Sequence, residues 1–175
     1  MSMTPSRGAT VTALTVAALL AAAATPASAG ILNLVAMLDG AQEAPNPVNT
    51  PGTGLGTVTY ETQTNLLSWN VTFGNLLGTT SNAHFHGPAP RGVPAGVAVG
   101  IASISGLNSP MIGSTTLTAA QESQLLSELW YINVHSSAYP GGEIRGQVEF
   151  VPEPSTWTMG LVVLAVAALR ARRLV

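Results

Sequence analysis

The sequence predicts a mainly β fold, an antiparallel β-sandwich with one short helix, flanked by an N-terminal signal helix and a C-terminal membrane helix. Three observations carry that reading. Short segments alternate apolar and polar residues with the period of a strand. Glycine and proline, 18 and 12 of the 175 residues, punctuate those segments as turn formers do. The two longest apolar runs stand at the ends of the chain, where they read as addresses rather than as parts of the fold.

At the N-terminus Arg7 precedes an apolar stretch over residues 11–24. Pro26 follows, and then Ala27 and Ala29, the small side chains that signal peptidase accepts. A signal peptide over residues 1–29 is expected, with a mature chain starting at Gly30. Residues 31–38 form an apolar run that stops at Asp39 and Gly40, which suits a strand followed by a turn. A loop over residues 44–54 comes next. Val58 and Tyr60 then share one parity against Thr57 and Thr59, as a half-buried strand requires. Leu67, Trp69, Val71 and Phe73 repeat the pattern against Ser68, Asn70 and Thr72, and the separator at residues 62–65 predicts a hairpin. Trp69 and Phe73 are expected in the core.

Val97, Val99 and Ile101 alternate with small residues and predict a strand over residues 95–104. The one expected helix begins at Thr118, with Gln121 in the capping-box position and Leu125, Leu126 and Leu129 as its apolar stripe. Residues 130–135 and 143–150 are the last strands. Pro140, Gly141 and Gly142 form the turn between them.

The C-terminus places Pro152, Glu153 and Pro154 before an apolar run over residues 157–169, closed by Arg170, Arg172 and Arg173. At 1.5 Å per residue that run is about 20 Å long, short of the roughly 30 Å hydrocarbon core, so it needs flanking residues or local thinning to cross. The arginines fit the cytoplasmic side of a membrane, which leaves the domain outside.

Between the two ends the acids are Asp39, Glu43, Glu61, Glu122, Glu128, Glu143 and Glu149, and the bases are Arg91 and Arg145. The net charge of this region is about −5, which repels a phosphate backbone and argues against nucleic acid as a partner. Cysteine is absent, so disulfides and thiolate metal sites are excluded.

All three histidines fall in two motifs, AHFHGPAP at residues 83–90 and NVHSSAYPGGEIRGQ at residues 133–147. In an extended segment His84 and His86 point to one face and Phe85 to the other, into a core. His135, from a separate strand, would complete a three-histidine set. Neutral imidazoles suit zinc or copper, and three of them leave a coordination position open. Hydrogen bonds from these rings to carbonyls that merely organise loops are the alternative. Glu143 and Arg145 share a strand face at period-two spacing and are expected to pair with each other or with the histidines. A bidentate bond from Arg145 to Asp39 or Glu43 is the structural alternative. Ser136 and Ser137 beside His135 do not make a catalytic triad, because sequence adjacency places no base within reach.

Two resemblances rest on these motifs. Residues 151–175 resemble the PEP-CTERM sorting signal of Gram-negative bacteria. That resemblance implies an exosortase that recognises Pro152, Glu153 and Pro154 and removes the tail, as a GPI signal is removed. LDGAQEAPNP at residues 38–47, then AHFHGPAP, then NVHSSAYPGGEIRGQ, resemble the CHRD domain, named after the repeats in chordin. The likeness runs from Ile31 to Phe150, essentially the whole expected domain of residues 30–150, and implies an immunoglobulin-like β-sandwich. The family's usual two prolines after Gln-Glu are replaced here by Ala44, Pro45, Asn46 and Pro47.

The expected function is that of an exported, non-enzymatic domain of the cell surface or extracellular matrix, with polysaccharide among its partners and the histidines as a zinc or copper site. The alternatives are a mononuclear metalloenzyme using Glu143 as acid or base, and a permanently membrane-anchored surface protein.

Overall fold

The computed structural model describes residues 30–151; the expected signal peptide over residues 1–29 and residues 152–175 of the expected sorting signal lie outside the described residues. Among the described residues no helix is long and apolar enough to cross a membrane.

The first three strands stand where the apolar run at residues 31–38 and the two alternating segments predict them. β1 (Ile31–Asp39), β2 (Thr53–Glu61) and β3 (Leu66–Gly74) form an antiparallel meander with continuous pairing. One parity of each strand faces inward: Leu34, Ala36 and Leu38, then Val58 and Tyr60, then Leu67, Trp69 and Val71, all buried. Burying each large apolar side chain contributes about 1.5–3 kcal/mol, so this shared parity fixes the register. Asp39 ends β1 by capping a 3-10 turn at Gly40–Gln42, its carboxylate accepting from the Gln42 N–H at 2.9 Å.

β4 (Thr80–His86) and β5 (Val97–Gly100) follow. The strand expected to reach residue 104 stops short. After the buried Ile101 the chain turns into a four-residue helix, α1 (Ala102–Ser105), and Gly106 ends it at φ 80°. The Ser105 hydroxyl accepts from Trp69 Nε1 at 3.0 Å, a partner that an extended segment would not supply.

β6 (Met111–Thr116) has no counterpart in the apolar pattern, because Gly113, Ser114, Thr115 and Thr116 offer no alternation. Pairing with β3 and the fit of Gly113 against the Trp69 ring hold it in place. The predicted helix is α2 (Ala119–Leu126), with the Thr118–Gln121 capping box formed and Leu125 buried. β7 (Tyr131–Ser136), β8 (Ile144–Gln147) and the two-residue β9 (Glu149–Phe150) are the last elements among the described residues.

Among the described residues two separate sheets are not formed. The strands make one continuous curled sheet in the order β5-β4-β7-β8-β1-β2-β3-β6, with β9 added beside β1. Curling gives it a sandwich-like interior: the Trp69 and Phe85 rings meet at 5.5 Å although their strands stand five places apart in that order. Phe85 and Trp130, both fully buried, extend the same aromatic core at 5.8 Å.

Candidate metal centre

β4 and β7 are neighbours in the sheet, with His84 opposite Asn133 and His86 opposite Tyr131. Ala83 and Phe85 of β4 and Ile132 and Val134 of β7 face the core. Period two therefore sends His84, His86, Tyr131, Asn133 and His135 to the other face. Every residue of β7 is buried, so that second face is covered as well. Its cover is loop: Ala95, Pro140 and Glu43 each hydrogen bond to it.

The structure brings the three predicted histidines together, with one candidate ligand atom of each lying within 4.8 Å of the others. The His84 and His135 rings lie 5.1 Å apart, and those of His84 and His86 5.4 Å apart. Two carbonyls set the tautomers. His86 Nδ1–H donates to Ala95 O at 3.0 Å, and His135 Nδ1–H donates to Pro140 O at 2.9 Å. A carbonyl only accepts, so each neutral ring keeps an Nε2 lone pair. His135 Nε2 meets His84 Nδ1 at 3.2 Å. His86 Nε2 is buried and has no partner.

Tetrahedral zinc, with bonds of about 2.0–2.1 Å, sets its nitrogens about 3.3–3.4 Å apart. The His84–His135 separation is close to that spacing, with the His84 Nδ1–H donating to His135 Nε2 along the line between them. All three rings stay neutral well below their ordinary range. Burial, then the neighbouring His135 and His86, brings His84 down to about 4. Burial is also the main cause of the lowering at His86 and at His135, opposed in each by its carbonyl bond. Neutral imidazole is the ligating form.

His86 stacks flat on Tyr131, centroids 5.0 Å apart and planes 3° from parallel, and the Arg145 guanidinium lies 3.5 Å from the centre of the Tyr131 ring. Such a contact contributes about 2 kcal/mol when desolvated. Arg145 also donates to Val93 O at 2.9 Å, which ties the β4–β5 loop to β8. The bidentate bond to Asp39 or Glu43 is absent, and the one ion pair among the described residues is the exposed Arg91–Glu149.

Glu143 and Arg145 do not pair. Glu143 precedes β8 and, itself fully buried, belongs to a separate network, accepting from Thr50 Oγ1 and Leu77 N–H at 2.6 Å each and from the Ser136 hydroxyl. Burial alone would raise its carboxyl, but those bonds, with the Gly78 N–H, outweigh it and hold the carboxyl below its usual range. The Ser136 hydroxyl is thereby committed to Glu143, and Ser137 bonds to Thr79. Sequence reasoning passed over Tyr131, Asn133 and Glu43 as parts of the site. Applied to residues 131–135, the parity rule that placed His84 beside His86 would have found the first two.

A family model for the CHRD domain matches residues 34–148, more than half of the chain. The chain belongs to the CHRD domain family. No curated protein and no solved structure matches it. All three histidines, Glu143 and Arg145 fall within the matched CHRD region, whereas the sequences at both ends fall outside it. The CHRD domain here is an extracellular-type β domain with a histidine cluster on the loop-covered face of its sheet.

Proposed function

We propose that this chain is exported, sorted to the cell envelope, and acts there as a non-enzymatic binding or structural domain whose histidines hold one zinc or copper ion. The observation that carries the metal reading is the convergence of three neutral imidazoles with one buried nitrogen, His86 Nε2, lacking a partner. A buried polar atom of this kind calls for a ligand. His84, His86 and His135 supply nitrogen donors suited to those metals, with second-shell carbonyls at Ala95 and Pro140.

Three neutral ligands leave the ion its full charge and an open position, which suits an anionic group of an external matrix or partner. Binding is favoured over turnover because the Ser136 hydroxyl and the Glu143 carboxylate are bonded to each other, away from the histidines. Export and sorting rest on the sequence of the ends: the signal features around Ala27 and Ala29, then Pro152, Glu153 and Pro154 before an apolar run and Arg170, Arg172 and Arg173. Signal peptidase and an exosortase are the processing partners, and the cell surface or matrix is the destination.

Elemental analysis of the purified protein, beside a His84→Ala/His86→Ala variant, tests the metal site. One equivalent of zinc or copper in the parent and none in the variant is expected; a parent that neither contains nor takes up either metal sinks it. Turnover by the loaded protein would favour the metalloenzyme reading. Intact mass of the protein from its host separates processing from permanent anchoring, by loss or retention of the residues after Pro154.

A further inference from the structure

Glu43 and Asn133 each leave one buried oxygen without a hydrogen-bond partner, and the two side chains already touch. Asn133 Nδ2–H donates to Glu43 Oε2 at 3.1 Å. Glu43 Oε1 and Asn133 Oδ1 are the unpartnered atoms, on residues only 7% and 5% exposed. Two acceptors cannot satisfy one another, and each left bare carries the desolvation cost of a buried polar group. A single proton on Glu43 resolves both. We propose that Glu43 is a proton-binding site of the folded domain, its carboxylic acid closing a cyclic pair with the Asn133 amide: Oε1–H donates to Oδ1 while Nδ2–H donates to Oε2.

The surroundings favour the proton over an ion pair. Arg145 of β8 is the charge acting on Glu43, and it favours the carboxylate. Its guanidinium is nevertheless engaged by the Tyr131 ring and Val93 O, and it lies beyond 4.0 Å from any carboxylate oxygen of Glu43. From β7 Glu43 meets the neutral Asn133, and from its own loop the Ala44 N–H. Asp39, the nearest acid along the chain, is turned to the Gln42 N–H and side-chain amide. The amide of Asn133 is held in place by Gly142, where any Cβ would sit about 2.5 Å from Asn133 Oδ1.

Burial, working against the Asn133 amide, Arg145 and the Ala44 N–H, pushes the Glu43 carboxyl from 4.5 up to about 7. That is about 300-fold in proton affinity. The sign follows from linkage. A carboxyl whose folded pKa is raised contributes stability that is complete below about 4.5 and is lost as pH rises through about 7. The proton thus acts as a latch that pins the loop between β1 and β2 onto β7, at the residue opposite His84. It does so whether or not the histidines hold an ion.

The test is carbon-13 NMR of the glutamate carboxyls in the intact protein, held in neutral detergent, with Glu43 assigned through the backbone. A Glu43 midpoint near 7 is expected; a midpoint near 4.5 overturns the proposal. Glu43→Gln supplies a second readout, since a carboxamide makes the same two bonds with Asn133 without a proton. The parent's urea midpoint should fall relative to that of the variant between pH 4.5 and 7.5. Parallel pH profiles across that window would overturn the proposal equally.

Discussion

Gly146→Ala should destabilise the domain by about 2–4 kcal/mol, because the obstacle to the new methyl is backbone. Gly146 lies in β8 between Arg145 and Gln147, and a Cβ there would overlap the Met37 carbonyl oxygen, lie 2.8 Å from the Met37 carbonyl carbon, and stand 3.2 Å from the Leu38 nitrogen. No rotamer change relieves that contact, so β8 must move away from β1. Overpacking of this kind costs about 1–3 kcal/mol, and each inter-strand hydrogen bond weakened by the movement adds about 1 kcal/mol. Gly74→Ala is the matched control. It too lies in a strand, but nothing stands within 4 Å of its Cβ position, so it should change stability by no more than about 0.5 kcal/mol or stabilise slightly. Urea unfolding of both variants at constant m gives the comparison. A Gly146→Ala variant within about 0.5 kcal/mol of the parent would refute the reasoning that β8 and β1 approach too closely for any side chain.

Zinc or copper at 100 times its dissociation constant should stabilise the folded state by about 2.7 kcal/mol, read as a rise in melting temperature, and His135→Ala should abolish the rise. Glu143→Gln should cost about 2–4 kcal/mol at pH 7, since its amide nitrogen would replace one of the two acceptor oxygens and face either Thr50 and the Leu77 N–H or the Ser136 hydroxyl. The Glu143 carboxyl is held below 4.5, so its contribution is present above that pH and lost as pH falls through the lowered folded value. The variant should accordingly show a flatter acid limb in its stability profile, and an unchanged limb would count against the network. Thr118→Ala removes the hydroxyl that accepts from the Gln121 N–H and should cost about 1 kcal/mol by urea unfolding.

Much of the fold was legible because burial imposes period two on the sequence. Val58, Tyr60, Leu67 and Trp69 each sit where alternation puts them, and Thr118 and Gln121 mark the helix start by their own chemistry. β6 was not legible, since its position depends on pairing with β3 rather than on an apolar face. The turn into α1 was hidden for a related reason: Val97, Val99 and Ile101 keep strand parity up to the residue before the helix. At the site, the convergence of His84 and His86 followed from spacing, while the arrival of His135 depended on β7 lying beside β4. The partners of Glu143 come from Thr50 and Leu77, distant in sequence, and no local pattern announces them.

The curled sheet also has a bearing on how such domains behave when crowded. Its two open borders are β5 and β6, neither of which carries a lysine or arginine to repel a neighbouring chain. β5 is only four residues long, and α1 packs on the face of β6, its Ser105 and Ile104 side chains close to Gly113. The short length of β5 thus limits strand-to-strand pairing at that border in place of charge. Protection of this kind is insensitive to salt, so association through β5 should not rise at ionic strengths that would screen a charge-guarded edge.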